Sequence, residues 1–82
     1  MNYNKSKIKW ACRRGMLELD LFLQKYLDVY LDKMTDEECI LFEEFLRTPD
    51  PDLYAWFMGY EKPSSDESQK FVSIIQSINN HR

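Results

Sequence analysis

The chain has 82 residues, a formal net charge of −3, 44% hydrophobic residues and 15% aromatics. That describes one small domain able to bury a core, and it excludes a disordered tail. Two glycines and three prolines leave few turns, which argues against a many-stranded β fold.

Helical spacing runs through the chain, while the apolar–polar alternation of half-buried strands is hard to find. Residues 4–14 read as a short first helix, with Ile8, Ala11 and Cys12 at i, i+3, i+4 spacing. Gly15 interrupts it. A long second helix follows from Met16 to Met34, with Leu19, Phe22, Leu23, Tyr26, Leu27, Tyr30 and Met34 as a wide apolar stripe. Thr35 with Glu38 three positions on forms a capping-box pattern, and Met34 and Cys39 stand where a hydrophobic staple would close the turn.

The third helix shows Leu41, Phe42, Phe45 and Leu46 as its apolar face, and Pro49 ends it. Asp50 is the expected cap of a fourth helix with Pro51 at its first position, and Gly59 is the expected C′ residue. Trp56 and Phe57 would pin that short helix to the rest. The stretch 61–68 reads as a loop, and Ser64 or Ser65 caps a last helix with Phe71, Ile74, Ile75 and Ile78 inward. Residues 79–82 are expected to fray. The result is a single all-α domain over residues 1–82, ordered from about residue 4 to 79: a compact bundle of five short helices.

The side chains for catalysis are scarce. Cys12 and Cys39 form no CxxC pair and are too few for a disulfide scaffold, so a reducing compartment fits better. His81 is the only histidine; a zinc site lacks ligands and a nucleophile would lack a positioned base. No glycine-rich phosphate cradle is present. The carboxylates Asp36, Glu37, Glu38, Glu43 and Glu44 read as a solvated helix face. The expectation is a non-enzyme with no catalytic residue and no metal. With no apolar run of roughly 20 residues and no signal peptide, it is expected to be cytoplasmic, without membrane insertion.

Charge is unevenly divided. Residues 1–17 carry Lys5, Lys7, Lys9, Arg13 and Arg14 and no acid, whereas residues 18–82 carry six basic and fourteen acidic residues. The basic end can face an acidic partner or phosphates, or simply water.

At the junction of the first two helices stands Arg14-Gly15-Met16-Leu17-Glu18. Arg14 offers a rigid fork of donors suited to a carboxylate or phosphate. Gly15 lets the chain turn and another backbone approach closely. Glu18 carries negative charge near a helix N-terminus, and Met16 is a flexible apolar contact. A purely structural reading stands beside this: Gly15 as a C′ residue, Arg13 and Arg14 set against the helix dipole, or Arg14 paired with Glu18.

A bare R-G-x-x-E is weak evidence, but its surroundings add to it. The stretch from Trp10 through Arg13 leads into the motif, Glu18-Leu19-Asp20 continues it, and Asp50-Pro51-Asp52-Leu53-Tyr54-Ala55-Trp56 follows. In these segments, in size and in helix order, the chain resembles the succinate dehydrogenase assembly factor family, the FAD assembly factors that assist covalent flavinylation. The similarity runs from about Lys7 to Asn79.

The resemblance implies a helical chaperone that binds the flavoprotein subunit of succinate dehydrogenase, and in bacteria also that of fumarate reductase. It promotes linkage of FAD to a histidine of that subunit and holds no cofactor stably itself. The family's docking surface maps onto Arg14, Gly15 and Glu18, with Lys7, Trp10 and Met16 as second-tier contacts. Leu17 departs from the pattern, since a polar residue is often seen there. Beginning at Met1 without a long presequence, the chain looks like a bacterial member, and a monomer that binds no nucleic acid is expected. The competing readings are an antitoxin-like or nucleic-acid-binding module using the basic first helix, and a generic helical adaptor.

Overall fold

Each break in the sequence pattern becomes a helix end. The computed structural model describes residues 5–79. Its elements are α1 (Ser6–Ala11), α2 (Leu17–Tyr30), a 3-10 turn (Leu31–Lys33), α3 (Asp36–Phe45), α4 (Asp50–Phe57) and α5 (Asp66–Asn79). The expected five-helix, all-α bundle is observed, with no strand among the described residues. No helix among those residues is long and apolar enough to cross a membrane.

Local chemistry explains most boundaries. Thr35 Oγ1 accepts the Glu38 backbone N–H at 3.1 Å, and the Glu38 carboxylate accepts the Thr35 N–H at 2.8 Å, closing the capping box that starts α3. Met34 and Cys39, the staple positions, are both buried. Gly59 (φ 81°) ends α4 in a Schellman motif: its N–H reaches the Trp56 carbonyl at 3.1 Å, and the Tyr60 N–H reaches that of Ala55 at 2.8 Å. Ser65, not Ser64, caps α5, its hydroxyl accepting the Ser68 N–H at 3.1 Å.

Four boundaries differ from the sequence reading. The first helix is six residues long and ends at Ala11, because the Arg14 N–H bonds the Asp20 carboxylate at 2.8 Å instead of continuing the helix. The long second helix starts at Leu17 and tightens into the 3-10 turn after Tyr30, leaving Met34 extended ahead of the Thr35 cap. Pro49 occupies the N-cap of α4, while Asp50 is its first residue and caps nothing, its carboxylate being bonded to Arg14. Asn79 is the last residue of α5, its amide donating to the carbonyls of Ile75 at 2.8 Å and Phe22 at 3.3 Å. The rest of the expected fraying tail, residues 80–82, and the expected first residue of the first helix lie outside the described residues.

Helix α5 packs on α2, α3 and α4; α1 lies on α3, and α2 also touches α4. Ile8, Leu19, Leu23, Phe42, Leu53 and Ile75 are fully enclosed. An aromatic cluster joins the layers. Phe42 lies 4.8 Å from Tyr26 and 5.1 Å from Phe71, and Phe45 lies 5.2 Å from Phe71 and 6.0 Å from Trp56. Trp56 and Phe57 do pin α4, through the contacts of both with Phe45.

Two helix faces are rotated from the expectation. Cys39, Phe42, Phe45 and Leu46 point inward while Leu41 is exposed, and on α5 Val72 is buried beside Ile75 while Phe71, Ile74 and Ile78 pack at the margin.

Phe42→Ala removes the ring at the centre of this cluster and should cost about 3–5 kcal/mol. Against a total stability of roughly 0.05–0.15 kcal/mol per residue, that is a large share. Urea unfolding followed by far-UV circular dichroism measures it.

Candidate functional site

The segment between α1 and α2 is built around one side chain. Helix α1 closes with the Cys12 N–H on the Ile8 carbonyl at 3.0 Å and the Arg13 N–H on that of Trp10 at 3.1 Å. The chain then turns through Arg14, Gly15 and Met16. Arg14 Nε–H donates to the Asp50 carboxylate at 2.7 Å, and its Nη2 donates to the Thr48 carbonyl at 2.7 Å. Its Nη1 donates to the Leu46 carbonyl at 2.6 Å and the Ala11 carbonyl at 3.1 Å.

Every one of these acceptors is at a helix end or junction. Ala11 and Leu46 close α1 and α3, where carbonyls lack helical partners and a cation is favoured. Asp50 opens α4, where negative charge is favoured. The Arg14 side chain is only 15% exposed.

Arg14 therefore points into the protein, its fork engaged by its own chain, and it pairs with Asp50 rather than Glu18. The helix-dipole reading of Arg14 describes its surroundings. Gly15 is not the C′ residue of α1, whose last turn ends at the C-cap Cys12. What requires glycine is its φ of 81°, in the left-handed region, and a Cβ there would meet nothing within 4 Å. The backbone at Gly15 is thus uncovered.

The remaining expected site residues lie around this turn. Met16 is half-buried and extended as the N-cap residue of α2; Glu18 is exposed on its first turn. Trp10 is 73% exposed, with the Arg13 guanidinium 5.7 Å from its ring centre, a cation–π contact. Lys7 forms an ion pair with Glu43 of α3 at 3.9 Å, which turns it toward that helix.

The sequence reading missed Leu21, Asp20 and Asp50. Leu17 and Leu21 are 69% and 56% exposed, one helical turn apart. Leu21 joins two shallow grooves, one shared with Glu18, Phe22, Lys25 and Asn79, the other with Lys9, Arg13, Asp20 and Gln24. The signal for Leu17 and Leu21 was present, since both fall off the apolar stripe of α2 onto its polar side. Nothing local marks Asp50, which is 36 residues from Arg14.

These features define a small all-α protein presenting an uncovered backbone turn, a carboxylate and apolar side chains on one surface, which suits binding. A family described as the flavinator of succinate dehydrogenase matches residues 6–81. The FAD assembly factor SdhE of Legionella pneumophila (strain Lens) is 46% identical over 76 residues, 93% of this chain and 95% of the relative. The protein of the same name from Colwellia psychrerythraea is 41% identical over 75 residues, 92% of this chain and 82% of the relative. That from Pectobacterium atrosepticum is 39% identical over 79 residues, 96% and 90% of the two chains. The chain belongs to this family of flavinators of succinate dehydrogenase, whose members are assembly factors and not enzymes.

Beneath the turn, burial raises the Cys12 thiol from an ordinary 9.0 to about 12, with the Arg14 cation pulling the other way and the Asp20 charge adding to the rise. Burial raises the Tyr26 hydroxyl from 10.0 to about 12, helped by the Glu38 charge. Both groups fold as neutral species, so their contribution to stability is complete below about pH 9 and is lost as the pH rises towards about 12. Unfolding free energy should therefore fall steadily across that alkaline range. Native Cys12 should resist a thiol reagent at pH 8 and react once urea unfolds the chain. Rapid labelling of the folded protein would contradict this placement of Cys12.

Proposed function

We propose that this chain is an FAD assembly factor that binds the flavoprotein subunit of succinate dehydrogenase, and that of fumarate reductase, and promotes covalent attachment of FAD there. The observation that carries the reading is the family match across residues 6–81, which spans both the turn and the helices that hold it. The name its relatives carry, FAD assembly factor SdhE, supports the same reading. The protein acts as a cytoplasmic monomer and keeps no flavin of its own.

Its contribution is binding and orientation. A histidine of the flavoprotein forms the bond to the flavin, and this chain holds that subunit in the conformation that aligns the two. Gly15 allows close approach of the other backbone, since no side chain covers it. Glu18 supplies a carboxylate for charge-assisted hydrogen bonds across the interface. Met16, Trp10 and the exposed Leu17 add apolar contact, with Lys7 at the margin. Arg14 belongs to the site as the strut that shapes the turn.

Co-expression of the flavoprotein subunit of succinate dehydrogenase with this chain, with Gly15→Arg or Glu18→Ala, or with neither tests the reading. Covalent flavin fluorescence in denaturing gels should be strong with the wild type and reduced roughly tenfold or more by either variant. Gly15→Arg should stay helical, because a Cβ there meets nothing within 4 Å and the positive φ costs only about 1–2 kcal/mol. Equal fluorescence in every arm would remove the functional assignment.

A further inference from the structure

The geometry points to Asp50 as a positioning residue for the docking turn, acting through Arg14; the inference rests on the docking reading above. Arg14 joins segments far apart in sequence, with acceptors on Ala11, Leu46, Thr48 and Asp50. Three of those acceptors are backbone carbonyls. Asp50 is the one that carries charge, and it faces a guanidinium whose side chain is 15% exposed. A cation so covered is costly without its counter-charge, and removing that charge favours release of Arg14 to water.

Beyond Arg14, the turn has few ties. Gly15 stands in open space at φ 81°, and Met16 gives α2 no side-chain cap. The other ties are the Arg14 N–H to the Asp20 carboxylate at 2.8 Å, the Asp20 N–H to the Met16 carbonyl at 3.0 Å, and the packing of Met16 against the core. Two carboxylates thus hold Arg14 at its two ends, Asp20 by the backbone and Asp50 by the side chain. Gly15, Leu17 and Glu18 follow Arg14 directly in the chain, so their placement depends on where Arg14 is anchored. A surface fixed before binding loses less entropy on association, and that preorganisation is what Asp50 contributes.

The same contact links two stretches that are separate in sequence. The segment beginning at Asp50 and the segment around Gly15 form one hydrogen-bonded unit, so the Asp50 segment helps to set the shape of the Gly15 turn.

The test compares the full-length wild type, Asp50→Ala and Asp50→Asn for affinity towards the purified flavoprotein subunit of succinate dehydrogenase. It is run at a temperature where circular dichroism and thermal melts show each chain folded. Asp50→Ala should bind about tenfold more weakly or worse, and Asp50→Asn, which keeps an oxygen for the Nε–H, should fall between it and the wild type. Amide exchange at Arg14 should quicken in Asp50→Ala.

A purely stabilising role would lower the melting temperature yet leave affinity unchanged in the folded Asp50→Ala chain, and that result overturns the inference. Should Asp50→Ala not fold, Asp50→Asn decides: weaker binding supports the inference and wild-type affinity overturns it. A wild-type chain that does not bind the flavoprotein overturns the docking reading, and the positioning role falls with it.

Discussion

The bundle depends on a largely covered cation where three helices meet. Ends of α1 and α3 present carbonyls without helical partners, and α4 begins within a few residues of the second. Such a junction is costly to cover unless something donates to it. Arg14 does so with a single side chain, reaching Ala11, Leu46, Thr48 and Asp50. A lysine has no planar fork and cannot reach that many separated acceptors in the same way.

This inward orientation determines what the surface can be. With the guanidinium facing the helix ends, the chain must reverse at the next residue, and Gly15 does so at φ 81° with nothing beside it. The outcome is an exposed backbone followed directly by the exposed Leu17 and Glu18, a combination of charge and apolar surface suited to gripping another protein. The structural and functional readings of the motif are therefore two sides of one turn. Arg14 serves the interior, while Gly15 and Glu18 lie outside.

Much of this architecture was legible in the sequence because it rests on local rules. The capping box at Thr35, the left-handed Gly59 and the Ser65 cap involve residues at most a few positions apart, so their types and spacing reveal them. The stripe of α2 was readable for the same reason. The errors arose where distant groups compete. Asp50 has the sequence of a helix cap, but Arg14, 36 residues earlier, takes its carboxylate. The first helix stops early because Asp20 captures the Arg14 N–H. Leu41 was misplaced and Val72 overlooked because helix rotation is set by neighbouring helices, which periodicity alone does not define. Of the site, the motif's position and family resemblance were readable, whereas the direction in which Arg14 points was not.

The most direct measurement is nuclear magnetic resonance of the Arg14 side chain, with its Nε–H followed as the unlabelled flavoprotein subunit of succinate dehydrogenase is added. Expected is an Nε–H signal that keeps its slow exchange and its shift, still bonded to Asp50, while the backbone amides of Gly15, Leu17 and Glu18 move on binding. An Nε–H that loses its protection or shifts strongly would show Arg14 leaving the interior to meet the flavoprotein. Such a result would contradict a docking turn shaped from within.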